Sequence, residues 1–233
     1  MTTRLYYADT YLRAFDATIV ERAEGGRRIY LDRSAFYPAS GGQPHDLGTL
    51  GGVAVTNVVD EEERVAHVLA EPYTGDDAVH GVIDWSRRWD YAQQHTGQHV
   101  LSRAFVEVAA GDTKSFHLGD SAATIDVEHE GPGHDLLARV EDRANEIVWE
   151  DHEVKTRWTT VEEALRLPLR KPPDVEGDIR IVEVEAFDWS ACGGTHVARS
   201  GQVGLIHILG TERYKGGVRV SFVCGGRALR RLR

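Results

Sequence analysis

The segment His95-Thr96-Gly97-Gln98-His99 places two histidines four positions apart in a stretch with a helical pattern. Apolar residues at helical spacing predict a helix over 86–108, with Ser86 as a suitable N-cap. Positions i and i+4 share one face of a helix, so the two imidazoles are expected to converge on one point. Such a pair is a common way to present two nitrogen ligands to zinc. It also arises by chance in many helices, so the pair alone does not establish a metal site.

A second segment, Cys192-Gly193-Gly194-Thr195-His196, supplies a thiolate and an imidazole four residues apart. It follows a predicted strand, and its two glycines indicate a turn that can present both ligands from the other side. Together, the two segments predict a Zn²⁺ site with the ligands His95, His99, Cys192 and His196. The other cysteine, Cys224, lies at the end of an apolar strand and is predicted to be a small core residue.

The region over residues 1–84 is predicted to consist of short strands separated by glycine-rich turns. The predicted strands cover 17–21, 28–31, 53–59, 65–69 and 79–85. Strands of this length and spacing favour a small barrel or sandwich.

The pattern changes near Trp85, after which helices and strands alternate irregularly. A second amphipathic helix is predicted over 134–150, and Lys171-Pro172-Pro173-Asp174 is predicted to be a loop. Further strands are predicted at 122–128, 179–185, 203–209 and 218–223, the last two forming a hairpin through 210–217. This mixture predicts an α+β fold with two domains, 1–84 and 85–233.

Charge and composition limit the classes of partner. The chain has 37 acidic and 27 basic residues, a net charge of −10, which argues against coating nucleic acid by bulk electrostatics. A local basic patch that binds nucleic acid is still compatible with this charge. Arg213, Lys215 and Arg219 are candidates for such contacts or, alternatively, for a solvated face. No apolar run reaches the roughly 18–20 residues of a membrane helix, and no export signal is present. We therefore expect a cytoplasmic protein without a membrane partner.

The two metal segments resemble the HxxxH and CxxxH motifs of the alanyl-tRNA synthetase editing domain and of its free-standing relatives, the AlaX proteins. A third segment, Ser34–Gly48 (SAFYPASGGQPHDLG), resembles the glycine-rich motif of that family. The three matches fall in the family's order. The resemblance implies an N-terminal β-barrel followed by an α+β editing domain shared with threonyl-tRNA synthetase. It indicates one of the longer AlaX types, either a medium-length form or a truncated long form.

The resemblance also implies an activity, namely hydrolysis in trans of tRNA(Ala) charged with the wrong amino acid, chiefly serine and possibly glycine. Gln43 is then a candidate for a catalytic and substrate contact, with Gly41 and Gly42 allowing close backbone approach. An ordinary turn is the alternative reading of these residues. Rejection of alanine requires a polar group facing the serine hydroxyl. The family places a pocket-lining strand at 113–117, so Ser115 or Thr113 is expected to supply that group.

Two other functions remain open at this stage. One is a zinc-dependent hydrolase of a small ester or amide on the same scaffold; the other is a non-catalytic tRNA-binding module with a structural zinc. Four protein ligands fill a tetrahedral shell, whereas a catalytic zinc keeps one position open. Catalysis would therefore require His196 or His99 to give way to water or substrate, unless the zinc chiefly orients the α-amino group of the substrate.

Overall fold

The computed structural model describes residues 1–172 and 177–233, which divide into two compact units, Met1–Tyr91 and Ala92–Arg233. Strands predominate and are mixed with helices, which confirms the predicted α+β class. The domain boundary between residues 84 and 85 stays a prediction. Pro173 and Asp174 of the predicted loop lie outside the described residues. In the part of the chain that the structure describes, no helix is both long and apolar enough to cross a membrane.

The first unit is built from short strands. These are β1 (Thr3–Arg4), β2 (Ala14–Ala23), β3 (Arg28–Leu31), β4 (Arg33–Ser34), β5 (Gly48–Leu50), β6 (Val53–Glu61), β7 (Arg64–Leu69) and β8 (Ala78–Ile83). The pairing runs in the order β2-β3-β7-β6-β5-β8 and returns to β2, so this sheet closes on itself. Strands β1 and β4 pair separately and in parallel. A closed cycle leaves its strands without an unpaired edge.

Alternation of side chains fills the interior of this closed sheet. In β2, Phe15, Ala17 and Ile19 are buried, whereas the intervening residues face solvent. The same period of two buries Val79 and Ile83 in β8, because successive side chains of a strand point to opposite faces. Together with residues of the other strands, these side chains form one apolar cluster.

An ion pair within the first unit fixes the glycine-rich segment. Arg88 is fully buried, and its guanidinium binds the carboxylate of Asp46, which is also buried. The remaining donors of Arg88 bind the carbonyls of Thr10 at 2.9 Å and Ala35 at 2.6 Å. Asp46 in turn accepts the backbone N–H of Tyr37 at 2.7 Å. Every arm of this buried cation therefore has a partner, and two of its three partner residues, Ala35 and Asp46, belong to the Ser34–Gly48 segment.

Helix α1 spans Trp85–Ala109 and continues from the first unit into the second. The predicted helix over 86–108 is confirmed, but Ser86 is not its N-cap. The helix begins one residue earlier, and the Asp84 carboxylate accepts the N–H of Arg87 at 3.2 Å. Trp85 is consequently helical and does not extend the preceding strand. The signal for the cap was Asp84, which is as suitable a cap residue as serine.

The second unit contains the remaining elements. They are β9 (Asp112–Leu118), β10 (Ala123–Glu128), α2 (His134–Glu150), β11 (Val154–Thr159), α3 (Val161–Ala164), β12 (Ile179–Val184), β13 (Asp188–Ala191), β14 (Ile206–Tyr214), β15 (Gly217–Cys224) and α4 (Gly226–Arg231). One sheet has the order β14-β15-β10-β9, and another has the order β11-β12-β13.

The hairpin of β14 and β15 is tighter than predicted. Strand β14 extends to Tyr214, and the turn consists of Lys215 and Gly216, both with positive φ. Two central residues with positive φ are typical of the hairpin turns that match the twist of the strands. The predicted start of this strand at Val203 is also wrong, because Val203 ends a short 3₁₀ turn.

Helix α2 has the predicted bounds and buries the predicted face, including Val140, Ala144 and Ile147. Asn145 of this helix is also buried, and local pattern did not predict its role. Its amide donates to the carbonyl of Ile206 at 2.8 Å and accepts the N–H of the same residue at 2.9 Å. This pair of hydrogen bonds holds the start of β14 against the helix.

We expect Arg88→Met to destabilise the protein by about 3–5 kcal/mol, because it leaves the Asp46 carboxylate buried without its cation. The control is Arg33→Met, which removes a more exposed ion pair with Asp32 and should cost less than about 1 kcal/mol. Urea unfolding at pH 7, followed by circular dichroism, measures both. Equal and small losses would show that the Asp46 carboxylate does not need its buried cation.

Candidate metal centre

Four side chains of the second unit bring their donor atoms together. The ligand atoms of His95, His99, Cys192 and His196 all lie within 4.8 Å of one another. The three imidazoles are buried, and Cys192 is partly exposed. The Cys192 Sγ lies 3.3 Å from the Nε2 atoms of both His95 and His196. The structure thus places the predicted metal-ligating residues at one point.

The donor set fits a tetrahedral zinc ion. Zinc–sulfur and zinc–nitrogen bonds of about 2.3 Å and 2.0 Å imply a sulfur–nitrogen separation of roughly 3.5 Å in a tetrahedron. The two measured separations of 3.3 Å are close to that value. One thiolate with imidazoles is also a donor set that favours zinc over magnesium or calcium, which prefer oxygen ligands.

The protonation states of Cys192 and His196 suit metal binding. Desolvation alone would raise the pKa of the Cys192 thiol, but the neighbouring His95 and His196 lower it well below its ordinary value. Burial lowers the pKa of His196 to about 3, so its imidazole is neutral near pH 7. Metals bind the thiolate and the neutral imidazole, which are the forms that these surroundings favour at Cys192 and His196.

His99 is oriented by a buried carboxylate. Its Nδ1 lies 3.1 Å from Oδ2 of Asp188, which leaves Nε2 to face the cluster. Burial by itself would lower the pKa of His99 and raise that of Asp188; their mutual hydrogen bond helps to reverse both shifts. Arg170 donates to Asp188 at 3.0 Å, and Ser190 donates to it at 2.8 Å. A carboxylate behind a ligating histidine fixes the tautomer and the ring orientation.

The residues between His95 and His99 lock the helix to its surroundings. The Thr96 hydroxyl accepts the N–H of Val197 at 3.1 Å, which ties α1 to the turn that carries Cys192 and His196. Gly97 packs against Cys224: an added Cβ would lie 2.2 Å from its sulfur. Cys224 is fully buried, as predicted. The Gln94 amide also makes two hydrogen bonds to the Cys224 backbone, at 2.8 and 3.1 Å.

A cleft of about 540 Å³ adjoins the cluster. This volume lies within the range of small-ligand sites. The lining residues are Gln98, His99, Asp112, Thr113, Lys114, Ser115, Phe116, Arg170, Lys171, Pro172, Ser190, Ala191 and Cys192. Because His99 and Cys192 are among them, a molecule in the cleft lies beside two residues of the metal cluster.

The predicted pocket-lining strand corresponds to β9. Both Thr113 and Ser115 line the cleft, but their hydroxyls are engaged differently. Thr113 is partly buried and bonds to the Ser102 hydroxyl at 2.8 Å. Ser115 is exposed and donates to Asp126 at 2.6 Å. Their roles as catalytic or selectivity residues stay predictions.

Gln43 and the two glycines before it belong to the first unit. Ser40 and Gln43 exchange backbone hydrogen bonds of 2.9 and 3.1 Å around Gly41 and Gly42. Both glycines have positive φ, so this is a tight hairpin turn in which glycine is favoured for its backbone. Gln43 itself is buried. A substrate contact by Gln43 stays a prediction, as does close approach at the glycines.

The predicted basic residues lie together on the hairpin of β14 and β15, yet they differ in availability. The guanidinium of Arg219 binds both oxygens of Asp126, at 2.7 and 3.0 Å, and lies 3.6 Å from the Tyr214 ring centre. Arg213 and Lys215 are exposed and line a second cleft near His129. Their contact with tRNA stays a prediction.

Comparison with known proteins defines the class. Residues 179–221 match the family described as the threonyl and alanyl tRNA synthetase second additional domain. The matched range includes Cys192 and His196, so half of the metal cluster lies inside it. The second unit therefore contains the editing-type domain that the motifs indicated.

Curated relatives extend the similarity over nearly the whole chain. The alanyl-tRNA editing protein AlaX-M of Methanosarcina mazei is 33% identical over 89% of this chain and 90% of its own length. AlaX-L of Pyrococcus horikoshii is 35% identical over 100% of this chain and 60% of its own length. An alanine–tRNA ligase of Pyrococcus furiosus is 37% identical, and the chain spans 26% of that relative's length. The chain belongs to the AlaX family of alanyl-tRNA editing proteins.

Sequence reasoning missed the residues that support the cluster. Asp188, Ser190 and Cys192 alternate along β13 and just beyond it. Residues two apart in a strand share a face, so this alternation is a signal that would have placed the carboxylate beside the ligand. Arg170 has no such signal, because it reaches Asp188 from the loop before β12.

We expect Asp188→Asn to weaken zinc binding by about 10- to 100-fold, because the amide cannot hold His99 as the carboxylate does. Competition with a chromogenic chelator measures the affinity, and circular dichroism checks the fold. Asp112→Asn, at the exposed wall of the same cleft, is the matched control and should bind zinc like the parent protein. An unchanged zinc affinity in Asp188→Asn would show that Asp188 does not orient His99 for metal binding.

Proposed function

We propose that this protein is a trans-editing hydrolase that deacylates tRNA(Ala) charged with the wrong amino acid, chiefly serine and possibly glycine. The reaction adds water across the ester between the amino acid and the terminal ribose, releasing the free amino acid and intact tRNA. The names of the AlaX-M and AlaX-L relatives support editing of alanyl-tRNA as the activity.

One observation carries this proposal. The predicted metal ligands converge beside a cleft whose walls include two of those ligands. A closed structural zinc needs no cleft at its ligands, so this position favours a catalytic site over a purely structural one. We assign Zn²⁺ to the cluster, held by His95, His99, Cys192 and His196. When bound, zinc supplies a Lewis acid that can activate water or polarise a carbonyl.

The protein's own residues contribute positioning and charge. Asp188 holds the His99 ring, and Arg170 neutralises that carboxylate while lining the cleft. Lys171 adds an exposed positive charge at the cleft wall, whereas the charge of Lys114 is balanced by Glu128 at 2.5 Å. Positive charge here suits the phosphates that flank the terminal adenosine of tRNA.

The finer features of the fold belong to the same proposal. We interpret the closed sheet of the first unit as the small N-terminal barrel of the AlaX family, with domains over 1–84 and 85–233. The cycle of pairing from β2 to β8 supports this interpretation. Gln43, Thr113 and Ser115 remain proposed substrate contacts; Arg213, Lys215 and Arg219 remain proposed tRNA contacts. We place the activity in the cytoplasm, where aminoacyl-tRNA is made.

In single-turnover assays, we expect the zinc-loaded protein to hydrolyse Ser-tRNA(Ala) much faster than buffer does. We expect His95→Ala to lose bound zinc and to lower the rate by more than the roughly 10- to 100-fold typical of a change behind a ligand. Atomic absorption measures the metal, and release of labelled serine measures the rate.

His134→Ala is the control for this experiment. His134 is a fully exposed histidine at the start of α2, away from the cluster residues in sequence, and its removal should change neither zinc content nor rate. A seryl ester that is no less stable with the parent protein than in buffer would refute the editing function. Full activity of a zinc-free protein would refute the role of the metal.

The same assays separate the two alternative functions. Equal turnover of a small seryl ester and of Ser-tRNA(Ala) would indicate a small-molecule hydrolase on this scaffold. Tight binding of tRNA(Ala) without turnover would indicate a binding module with a structural zinc.

A further inference from the structure

Gln98 lies between the two helical metal ligands and has a polar atom without a partner. Its side chain lines the cleft beside His99, yet only 2% of the residue is exposed. Among the residues that the structure describes, its Oε1 makes no hydrogen bond. A buried acceptor without a donor is rare in folded proteins, since it loses its hydrogen bonds to water. Such an atom in a cleft indicates a donor supplied by a ligand.

The amide of Gln98 is held in one orientation. Its Nε2 donates to the Ser102 hydroxyl, one turn further along α1, at 2.8 Å. The Thr113 hydroxyl bonds to the same oxygen of Ser102 at 2.8 Å. These two hydrogen bonds, which link β9 to α1 through Ser102, anchor the nitrogen end of the amide. The oxygen end is therefore the free end of a fixed group.

We propose that Gln98 Oε1 accepts a hydrogen bond from the side-chain hydroxyl of the amino acid, and so selects serine over alanine. The assignment rests on the proposed function. It gives Gln98 the selectivity role that the sequence suggested for Ser115 or Thr113. The hydroxyls of both residues already have partners in the protein, Asp126 for Ser115 and Ser102 for Thr113.

The physical reason for selectivity is the asymmetry of buried polar groups. A serine hydroxyl satisfies the acceptor, whereas the methyl group of alanine excludes water and leaves the acceptor unpaired. Such an unpaired group lowers affinity roughly 10- to 100-fold. Glycine leaves room beside the acceptor and suffers a smaller penalty than alanine. Correctly charged alanine is then the disfavoured substrate.

The test uses two non-hydrolysable probes with the zinc-loaded full chain. These are 3′-amino-3′-deoxyadenosine acylated through an amide with L-serine or with L-alanine. We expect the parent protein to bind the seryl probe at least about tenfold more tightly than the alanyl probe. In Gln98→Met, which keeps the length but removes the acceptor, the two affinities should become equal within about twofold.

Gln93→Met is the matched control, since Gln93 is on the same helix but donates to the Gln202 carbonyl at 2.8 Å. It should keep the parent ratio. Gln98→Asn provides a second variant if Gln98→Met folds poorly; it withdraws the oxygen by about 1.5 Å and should also lower the ratio. Zinc content and circular dichroism check that each variant retains the fold.

The outcomes distinguish a wrong role for Gln98 from a wrong proposed function. A parent-like ratio in Gln98→Met, or in Gln98→Asn if that is the folded variant, overturns the assignment of Gln98 even when Ser-tRNA(Ala) is hydrolysed. Equal weakening of both probes has the same meaning, because it indicates a structural role. If the parent protein binds neither probe and leaves the seryl ester intact, the proposed function fails and the assignment falls with it.

Discussion

The site depends on one geometric constraint, which is that donor atoms from two distant segments must meet within the bond lengths of a metal. His95 and Cys192 are 97 positions apart, yet their donor atoms are 3.3 Å apart. A helix fixes one pair, because positions i and i+4 share a face, and a turn after β13 fixes the other. The position of helix α1 relative to that turn must therefore be defined to a fraction of an ångström.

In the second unit, a buried carboxylate with all its partners in place helps to define this position. A similar buried ion pair occurs in the first unit. Asp188 lies between His99, Arg170 and Ser190, so its carboxylate orients a ligand without remaining unpaired. In the first unit, Arg88 and Asp46 hold the glycine-rich segment in the same way. Such pairs add little net stability when compared with apolar residues, but they define one geometry because any other leaves a charge unsatisfied.

The sequence predicted the metal ligands because their spacing follows helix and turn geometry, and it predicted α2 because its apolar face is regular. It did not predict the short strands β5 and β13, since three or four residues carry too little periodicity. The helix start was misjudged because Asp84 and Ser86 are both good cap residues. The Ser115 hydroxyl donates to Asp126 across the β9–β10 pairing. This is a tertiary contact, which a local sequence pattern does not reveal.

The contact between Gly97 and Cys224 has an evolutionary consequence. The helix approaches the end of β15 so closely that a methyl group at position 97 would overlap the sulfur. A larger residue at position 97 therefore requires a smaller one at position 224, or a shift of the helix that carries the ligands. Among relatives, these two positions should covary, although neither binds metal nor lines the cleft. Glycine is therefore required at this position of the HTGQH motif because the helix packs against a strand more than a hundred residues downstream.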